Sequence, residues 1–73
     1  VVVAEFDVVA FLQRFRDRAE AVKERGIPPL EYDARRAFIR QAEQDYQDYA
    51  IVGAADWSIE DACLVLRIPL ASD

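Results

Sequence analysis

The sequence has 73 residues, of which 53% are hydrophobic, and it carries a net charge of −5 with no histidine and one cysteine. This length allows a single domain, the lone cysteine excludes an internal disulfide, and the lack of histidine disfavours a zinc site. No uninterrupted apolar run exceeds that of residues 8–12, which is too short for a membrane span or a secretory signal peptide. We therefore expect a cytoplasmic protein that does not insert into membranes.

A domain of this size has a marginal core. It buries only about 60% of the surface that its unfolded chain exposes, and it usually needs a disulfide, a metal or another chain. Because the sequence disfavours the first two, we expect association with a larger protein or with a second copy. The chain starts at Val1, and we expect it to be a trimmed or partly observed form of a longer chain.

The charge is distributed unevenly along the chain. Residues 41–73 hold seven acidic side chains and one basic side chain, Arg67. An acidic half repels phosphate backbones, so nucleic-acid binding is disfavoured, whereas a basic protein surface would be attracted to it. A contribution to solubility is the simpler interpretation of this bias.

The first predicted element is an amphipathic helix over about 8–25. Asp7 can cap its first turn, with Phe6 and Phe11 forming a hydrophobic staple across the cap. Gly26 fits the position after the helix, where a residue with positive φ would end it in a Schellman motif. An apolar stripe at helical spacing, free of charges, runs along one face. Its members are Val8, Phe11, Leu12, Phe15, Ala19 and Val22.

A second amphipathic helix is predicted over about 32–52. The turn before it contains two prolines and is short, so an antiparallel αα-hairpin is the expected arrangement. The apolar arc of this helix is broader than the stripe of the first and also contains two charged residues, Arg35 and Asp45. The apolar members are Ala34, Phe38, Ile39, Ala42, Tyr46, Tyr49 and Val52.

Asp45 is the charge on this face that most needs a partner, because burying an unpaired carboxylate costs several kcal/mol. We expect an intramolecular ion pair, with Arg14 or Arg18 on the flank of the first helix as the donor. An arginine of another chain or a backbone N–H group is the alternative. Two charges on one apolar arc suggest that this face is shared with a partner or with a wet groove.

The periodicity changes to two after the second helix, which predicts a β-hairpin with strands over about 55–60 and 63–69. A two-residue turn at 61–62 would pair Trp57 with Leu66 on one face. The same register would pair Ile59 with Leu64 on that face. A four-residue loop is the alternative, because alanine at position 62 resists the positive φ that a two-residue turn requires.

The other face of this hairpin would place Asp56 opposite Arg67 as a pair of opposite charges. The β-branched residues at 1–4 could add a third strand. Residues 1–73 are thus predicted to form a single α+β domain, in which an αα-hairpin is followed by a C-terminal β-hairpin.

The sequence offers little catalytic chemistry. Asp45 and Asp48 can share one side of a helix, but a carboxylate metal site would need further ligands that the chain does not supply at this spacing. Cys63 and Ser58 have no histidine to activate them. Tyrosines 46 and 49 fit packing better than acid–base catalysis, and we assign no catalytic, cofactor-binding or metal-binding residue.

We therefore expect a non-catalytic protein–protein interaction module or small accessory subunit of a larger protein or enzyme complex, docking through the β-hairpin and the second helix. A self-associating homo-oligomer is the second hypothesis, and a small enzyme that uses Asp45 or Asp48 is the least favoured. The expected interface residues are Arg35, Asp45, Tyr46, Tyr49, Trp57, Leu64, Leu66 and Ile68.

Overall fold

The computed structural model describes residues 6–70, so the strand expected at residues 1–4 lies outside the described residues. Within the described part, two helices are followed by a two-stranded antiparallel sheet. The α+β class and the order of the elements are confirmed. In chain order, the elements are α1 (Val8–Lys23), α2 (Tyr32–Gly53), β1 (Asp56–Glu60) and β2 (Cys63–Arg67).

Helix α1 begins where its sequence predicts. The side chain of Asp7 caps the helix by accepting a hydrogen bond of 3.0 Å from the backbone N–H of Ala10. The rings of Phe6 and Phe11 lie on either side of this cap, with their centroids 5.2 Å apart. The predicted N-cap and hydrophobic staple are both confirmed.

The C-terminal end of α1 differs from the prediction. The helix ends at Lys23, and Gly26 does not have a positive φ, so the predicted Schellman motif was wrong. The chain instead leaves the helix through a tighter turn, in which the N–H of Arg25 donates a 3.1 Å hydrogen bond to the carbonyl of Val22. Because Arg25 lies outside the helix, its side chain is free to reach α2.

Helix α2 begins at Tyr32, as predicted, and it is longer than α1, with 22 residues against 16. Residues 32–37 are all exposed. Asp33 lies in the first turn, where a negative charge interacts favourably with the helix dipole. Tyr32 has a φ of 47° and is 84% exposed, a backbone conformation that is uncommon for a residue other than glycine.

The two helices come into close contact where Gly53 lies against Arg16. A Cβ atom on Gly53 would lie 2.7 Å from the Cγ atom of Arg16 and 3.1 Å from its backbone nitrogen. The Nη1 atom of Arg16 donates a 2.5 Å hydrogen bond to the carbonyl of Gly53. The missing side chain therefore permits the contact, and the arginine satisfies a carbonyl at the end of α2 that has no partner within the helix.

The core is small and lies along α1. Phe11 and Phe15 of the predicted stripe are half-buried, with ring centroids 5.1 Å apart, and Phe15 meets Tyr49 of α2 edge-on at 6.2 Å. Aromatic contacts thus join the two helices beside the buried aliphatic residues. The buried hydrophobic residues within 6–70 are Val8, Leu12, Ala19, Val22 and Ala55.

The β-hairpin has the predicted register. Trp57 faces Leu66 and Glu60 faces Cys63. The turn residues 61 and 62 have φ values of 53° and 61°, as a two-residue type I′ turn requires, so the four-residue loop is excluded. Alanine at position 62 therefore adopts a conformation that it normally resists. β2 ends at Arg67, two residues earlier than predicted, and Ile68 lies just beyond it.

The helical hairpin and the β-hairpin are nearly separate units. The two helices pack on each other and the two strands pair with each other, but the backbones of the two hairpins come close at very few points. The radius of gyration is 16.0 Å, whereas a compact domain of this length has a value of about 11 Å. The helices therefore leave much of the β-hairpin uncovered.

Candidate functional site

Asp45 has its charged partner within the chain. Its Oδ2 atom accepts a 3.1 Å hydrogen bond from Nη1 of Arg25, and its Oδ1 atom accepts a 2.8 Å hydrogen bond from Nε2 of Gln41. The Asp45 side chain remains 23% exposed. The expected intramolecular ion pair is confirmed, so the Asp45 carboxylate does not need a positive partner from another chain.

The donors that the sequence favoured for Asp45 were wrong. Arg14 and Arg18 lie over phenylalanine rings of their own helix, with their guanidinium carbons 5.7 and 5.1 Å from the ring centroids. The close approach at Gly53 sets the antiparallel register of the helices. Asp45 lies about two turns before Gly53, so in the antiparallel hairpin it faces the C-terminal end of α1, about two turns beyond Arg16 and past Arg14 and Arg18. Arg25, just past that end, is within reach.

The Asp45 ion pair predicts a specific dependence of stability on pH. A hydrogen bond from Gln41, and then one from Arg25, lower the pKa of Asp45 from its ordinary value of 3.8. A carboxyl whose pKa is lower in the folded state stabilises the fold above the unfolded pKa and loses that contribution as the pH falls through the folded pKa. Between about pH 5 and 2, we expect wild type to lose more stability than Asp45→Asn, as measured by urea unfolding at a series of pH values.

Asp48→Asn is the matched control, because it removes a nearby carboxylate that forms no ion pair within residues 6–70. Its stability should follow the pH dependence of wild type. Identical profiles for wild type and Asp45→Asn would show that the ion pair does not contribute to the stability of the fold.

The two tyrosines of α2 are half-buried and contact α1. Tyr49 packs on an aromatic ring of α1, and the Nζ atom of Lys23 lies 5.2 Å from the centroid of the Tyr46 ring. These contacts agree with the packing interpretation of both residues. Their exposed edges are the part of each side chain that is left for a partner.

Among the open depressions on the surface of the helical hairpin, two lie near its connected ends. Arg35, which was expected at an interface, is exposed and lines a depression of about 510 Å³ together with Tyr32. The second depression has a volume of about 360 Å³ and lies between the connected ends of the helices. Its apolar lining, the helical groove, consists of Val22, Ile27, Phe38, Ile39 and Ala42.

The β-hairpin presents large apolar side chains to solvent. Trp57 is 43% exposed and Ile59 is 57% exposed, while Leu64 and Leu66 on the same face are half-buried. Ile68 is also half-buried, one residue beyond β2. We refer to Trp57, Ile59, Leu64 and Leu66 as the hairpin patch.

The opposite face of the hairpin is polar. Arg67 lies directly opposite Asp56, as predicted, but its ion pair is with Glu60, at 3.4 Å. The hydroxyl of Ser58 links the two by donating a 2.8 Å hydrogen bond to Glu60 and accepting one of 3.4 Å from Arg67. The predicted pairing with Asp56 was therefore wrong, because this hydrogen-bonded diagonal engages the arginine. Within residues 6–70, Asp56 forms no ion pair.

The expected interface residues fall on separate surfaces. Trp57, Leu64 and Leu66 come together in the hairpin patch, whereas Asp45 is paired and Arg35 lies at the far end of α2. Ile59 has the largest exposed fraction of the four patch residues, and it was not in the expected set. Its alternation with Trp57 along β1 was the signal that could have identified it.

Within residues 6–70 there is neither a cluster of potential metal ligands nor a helix that could span a membrane. No group of three or more potential metal ligands comes together within residues 6–70, and the thiol of Cys63 is exposed and unpaired. Neither α1 nor α2 has the length and apolarity that crossing a membrane requires. No protein-family model, curated protein or solved structure matches the chain.

Proposed function

We propose that this chain is a non-catalytic protein–protein interaction module, which acts as a small accessory subunit and docks on a larger protein through the β-hairpin. The observation that carries this proposal is the exposure of Trp57 and Ile59 side by side on a two-stranded sheet. Adjacent exposed apolar side chains on a folded surface are typical of binding sites. Tryptophan is also among the residues that contribute most to the affinity of protein interfaces.

The energetics of a two-stranded sheet support the same function. An isolated β-hairpin is marginally stable in water and gains independent stability when a further strand or a helix covers it. The helices of this chain supply little of that cover. Burial of a large apolar side chain contributes about 1.5–3 kcal/mol, so a partner that covered Trp57 and Ile59 would stabilise both the hairpin and the complex.

The second helix supports this docking in a limited way. The exposed edges of Tyr46 and Tyr49 can extend a contact beyond the hairpin. Asp45 is already neutralised by Arg25, and it therefore adds little attraction for a charged partner. We assign the main contact to the hairpin patch and a secondary contact to α2.

The hairpin patch can be tested with the double variant Trp57→Thr/Ile59→Thr. Threonine retains a high propensity for β-strands while removing most of the exposed apolar area. We expect wild type, affinity-purified from its native cells, to retain one partner in stoichiometric amount. We expect the double variant to lose that partner while circular dichroism shows unchanged helical content.

The matched control is Ile27→Thr, because Ile27 is 47% exposed and lines the helical groove instead of the hairpin patch. It makes the same kind of change at a different surface, and it should retain the partner. Loss of the partner with Ile27→Thr alone would place the contact on the groove. Retention of the partner by all three proteins, or by none, would contradict the proposed function.

A further inference from the structure

The outer edge of β1 has backbone groups that point away from β2. In a hairpin with a two-residue turn, the residues next to the turn exchange both backbone hydrogen bonds, and such pairs then alternate along the strands. Glu60 and Cys63 are the pair next to the turn. The N–H and C=O groups of Trp57 and Ile59 therefore point outward, and the described sheet has no third strand to accept them.

The edge of β1 is better suited to a partner than the edge of β2. The outward residues of β1, Trp57 and Ile59, are 43% and 57% exposed, whereas those of β2, Leu64 and Leu66, are half-buried. No proline or lysine lies in β1 to obstruct pairing, although natural edge strands often carry such residues to prevent it. Both the backbone and the apolar side chains of β1 are thus accessible along the same edge.

The polar face of β1 indicates the charge of a strand that would pair there. Asp56 and Glu60 lie at the two ends of this face, with Ser58 between them. Arg67 of β2 is already engaged by Glu60 and Ser58, which leaves Asp56 as the acid of this face without an ion pair within residues 6–70. A neighbouring strand would place its own side chains directly opposite these acids, where opposite charges stabilise pairing and like charges destabilise it.

The same charges disfavour a second copy of this chain at the edge. Two β1 strands related by a two-fold axis through Ser58 would place Asp56 of each copy opposite Glu60 of the other. That register gives the unpaired Asp56 of each copy an acidic neighbour instead of a basic one, and it is the one that pairs the full length of both strands. Charge complementarity therefore favours a different protein with a basic strand.

We propose that the partner adds an extended strand to the outer edge of β1. Alternate apolar side chains of this strand pack against Trp57 and Ile59, and a lysine or arginine side chain lies opposite Asp56, which has no ion-pair partner within residues 6–70. This inference depends on the proposed function, because it specifies how the interaction module recognises its partner. The mode is addition of a strand to an exposed sheet edge, in which backbone hydrogen bonds and alternating side-chain contacts act together.

Amide hydrogen exchange measured by NMR on the full chain tests this mode. The probe is a short synthetic peptide in which valine alternates with lysine, and the matched peptide has glutamate at each lysine position. With the lysine peptide, we expect the amide protons of Trp57 and Ile59 to exchange more slowly. Those of Leu64 and Leu66, on the opposite edge, should not change, and the glutamate peptide should protect neither pair.

A charge reversal provides the second arm of the experiment. We expect Asp56→Lys to weaken binding of the lysine peptide about two- to fivefold, the scale on which one cross-strand pair of charges acts. Asp33→Lys, at the start of α2, makes the same change in net charge away from the hairpin and should bind like wild type. Unchanged exchange at Trp57 and Ile59, or equal binding by the two charge variants and wild type, would overturn the proposed mode.

The outcome for this mode can be separated from the outcome for the proposed function. If the partner purified from cells depends on the hairpin patch while the lysine peptide leaves the amides of Trp57 and Ile59 unprotected, the patch binds its partner through side chains alone. In that case strand addition is wrong and the docking function stands. If the partner does not depend on the patch at all, the proposed function itself fails.

Discussion

Replacement of Leu12 by alanine is expected to leave most molecules of the isolated chain unfolded or close to unfolding at room temperature. Leu12 is 4% exposed, the lowest fraction among the buried hydrophobic residues, and it lies in the middle of the apolar stripe of α1. Truncation of a buried leucine to alanine removes about 2–5 kcal/mol of stability. A core as small as this one rarely supplies more than about 3–5 kcal/mol. The expected loss is therefore comparable to the total free energy of unfolding.

Urea unfolding followed by helical circular dichroism measures this effect. Val9→Ala is the matched control, because Val9 lies three residues earlier in the same helix but is 61% exposed, and alanine has the higher helix propensity. We expect Val9→Ala to unfold at the same or a higher urea concentration than wild type. A loss below about 1 kcal/mol for Leu12→Ala would show that the stripe of α1 is not the core.

The second large effect is a loss of stability in Gly53→Ala, although replacing a helical glycine with alanine usually stabilises a protein. Alanine normally stabilises a helix relative to glycine by about 1 kcal/mol. At Gly53, however, the new methyl group would lie 2.7 Å from a side-chain carbon and 3.1 Å from a backbone nitrogen of Arg16. Because a backbone atom cannot move aside without shifting the helix, we expect a net loss of about 1–3 kcal/mol.

Gly26→Ala is the control for this substitution, since a Cβ atom there would meet nothing within 4 Å and φ is not positive. We expect it to raise the free energy of unfolding by about 0.4–1 kcal/mol by restricting the unfolded chain. Thermal and urea unfolding of both variants should therefore show shifts in opposite directions. A stabilising Gly53→Ala would mean that the helices do not approach closely at Arg16.

The β-hairpin was predictable from sequence because its determinants are local. Alternation of apolar residues fixes which side chains share a face, and the length of the turn then fixes the register. The pairing of Trp57 with Leu66 required only these two facts. The N-terminal end of α1 was predictable for the same reason, since Asp7 and its neighbours form the cap within a few residues.

The ion pairs were harder to predict because they depend on tertiary geometry. The partner of Asp45 is decided by the register of α2 against α1, which is set by the close contact at Gly53. The angular position of Asp45 on its own helix does not contain that information. The partner of Arg67 depends similarly on the hydrogen bond between Ser58 and Glu60, which a simple list of facing residues omits.

The exposure of the hairpin patch was also beyond sequence reasoning. The alternating pattern predicts an apolar face but does not say whether the helices cover it. The two hairpins instead come close at very few points, and this arrangement leaves Trp57 and Ile59 exposed. Whether this apolar face is exposed therefore depends on how the helical hairpin lies relative to the strands, which the alternation along the strands does not determine.

The affinity of the partner for wild type and for Trp57→Thr/Ile59→Thr is the measurement that tests docking through the hairpin patch most directly. Central apolar residues of an interface each contribute about 2 kcal/mol or more to binding, and every 1.4 kcal/mol changes the dissociation constant about tenfold. We predict that the double variant binds at least about a hundredfold more weakly, while Ile27→Thr binds like wild type. Equal dissociation constants for the wild type and the double variant would contradict the docking function assigned to the hairpin patch.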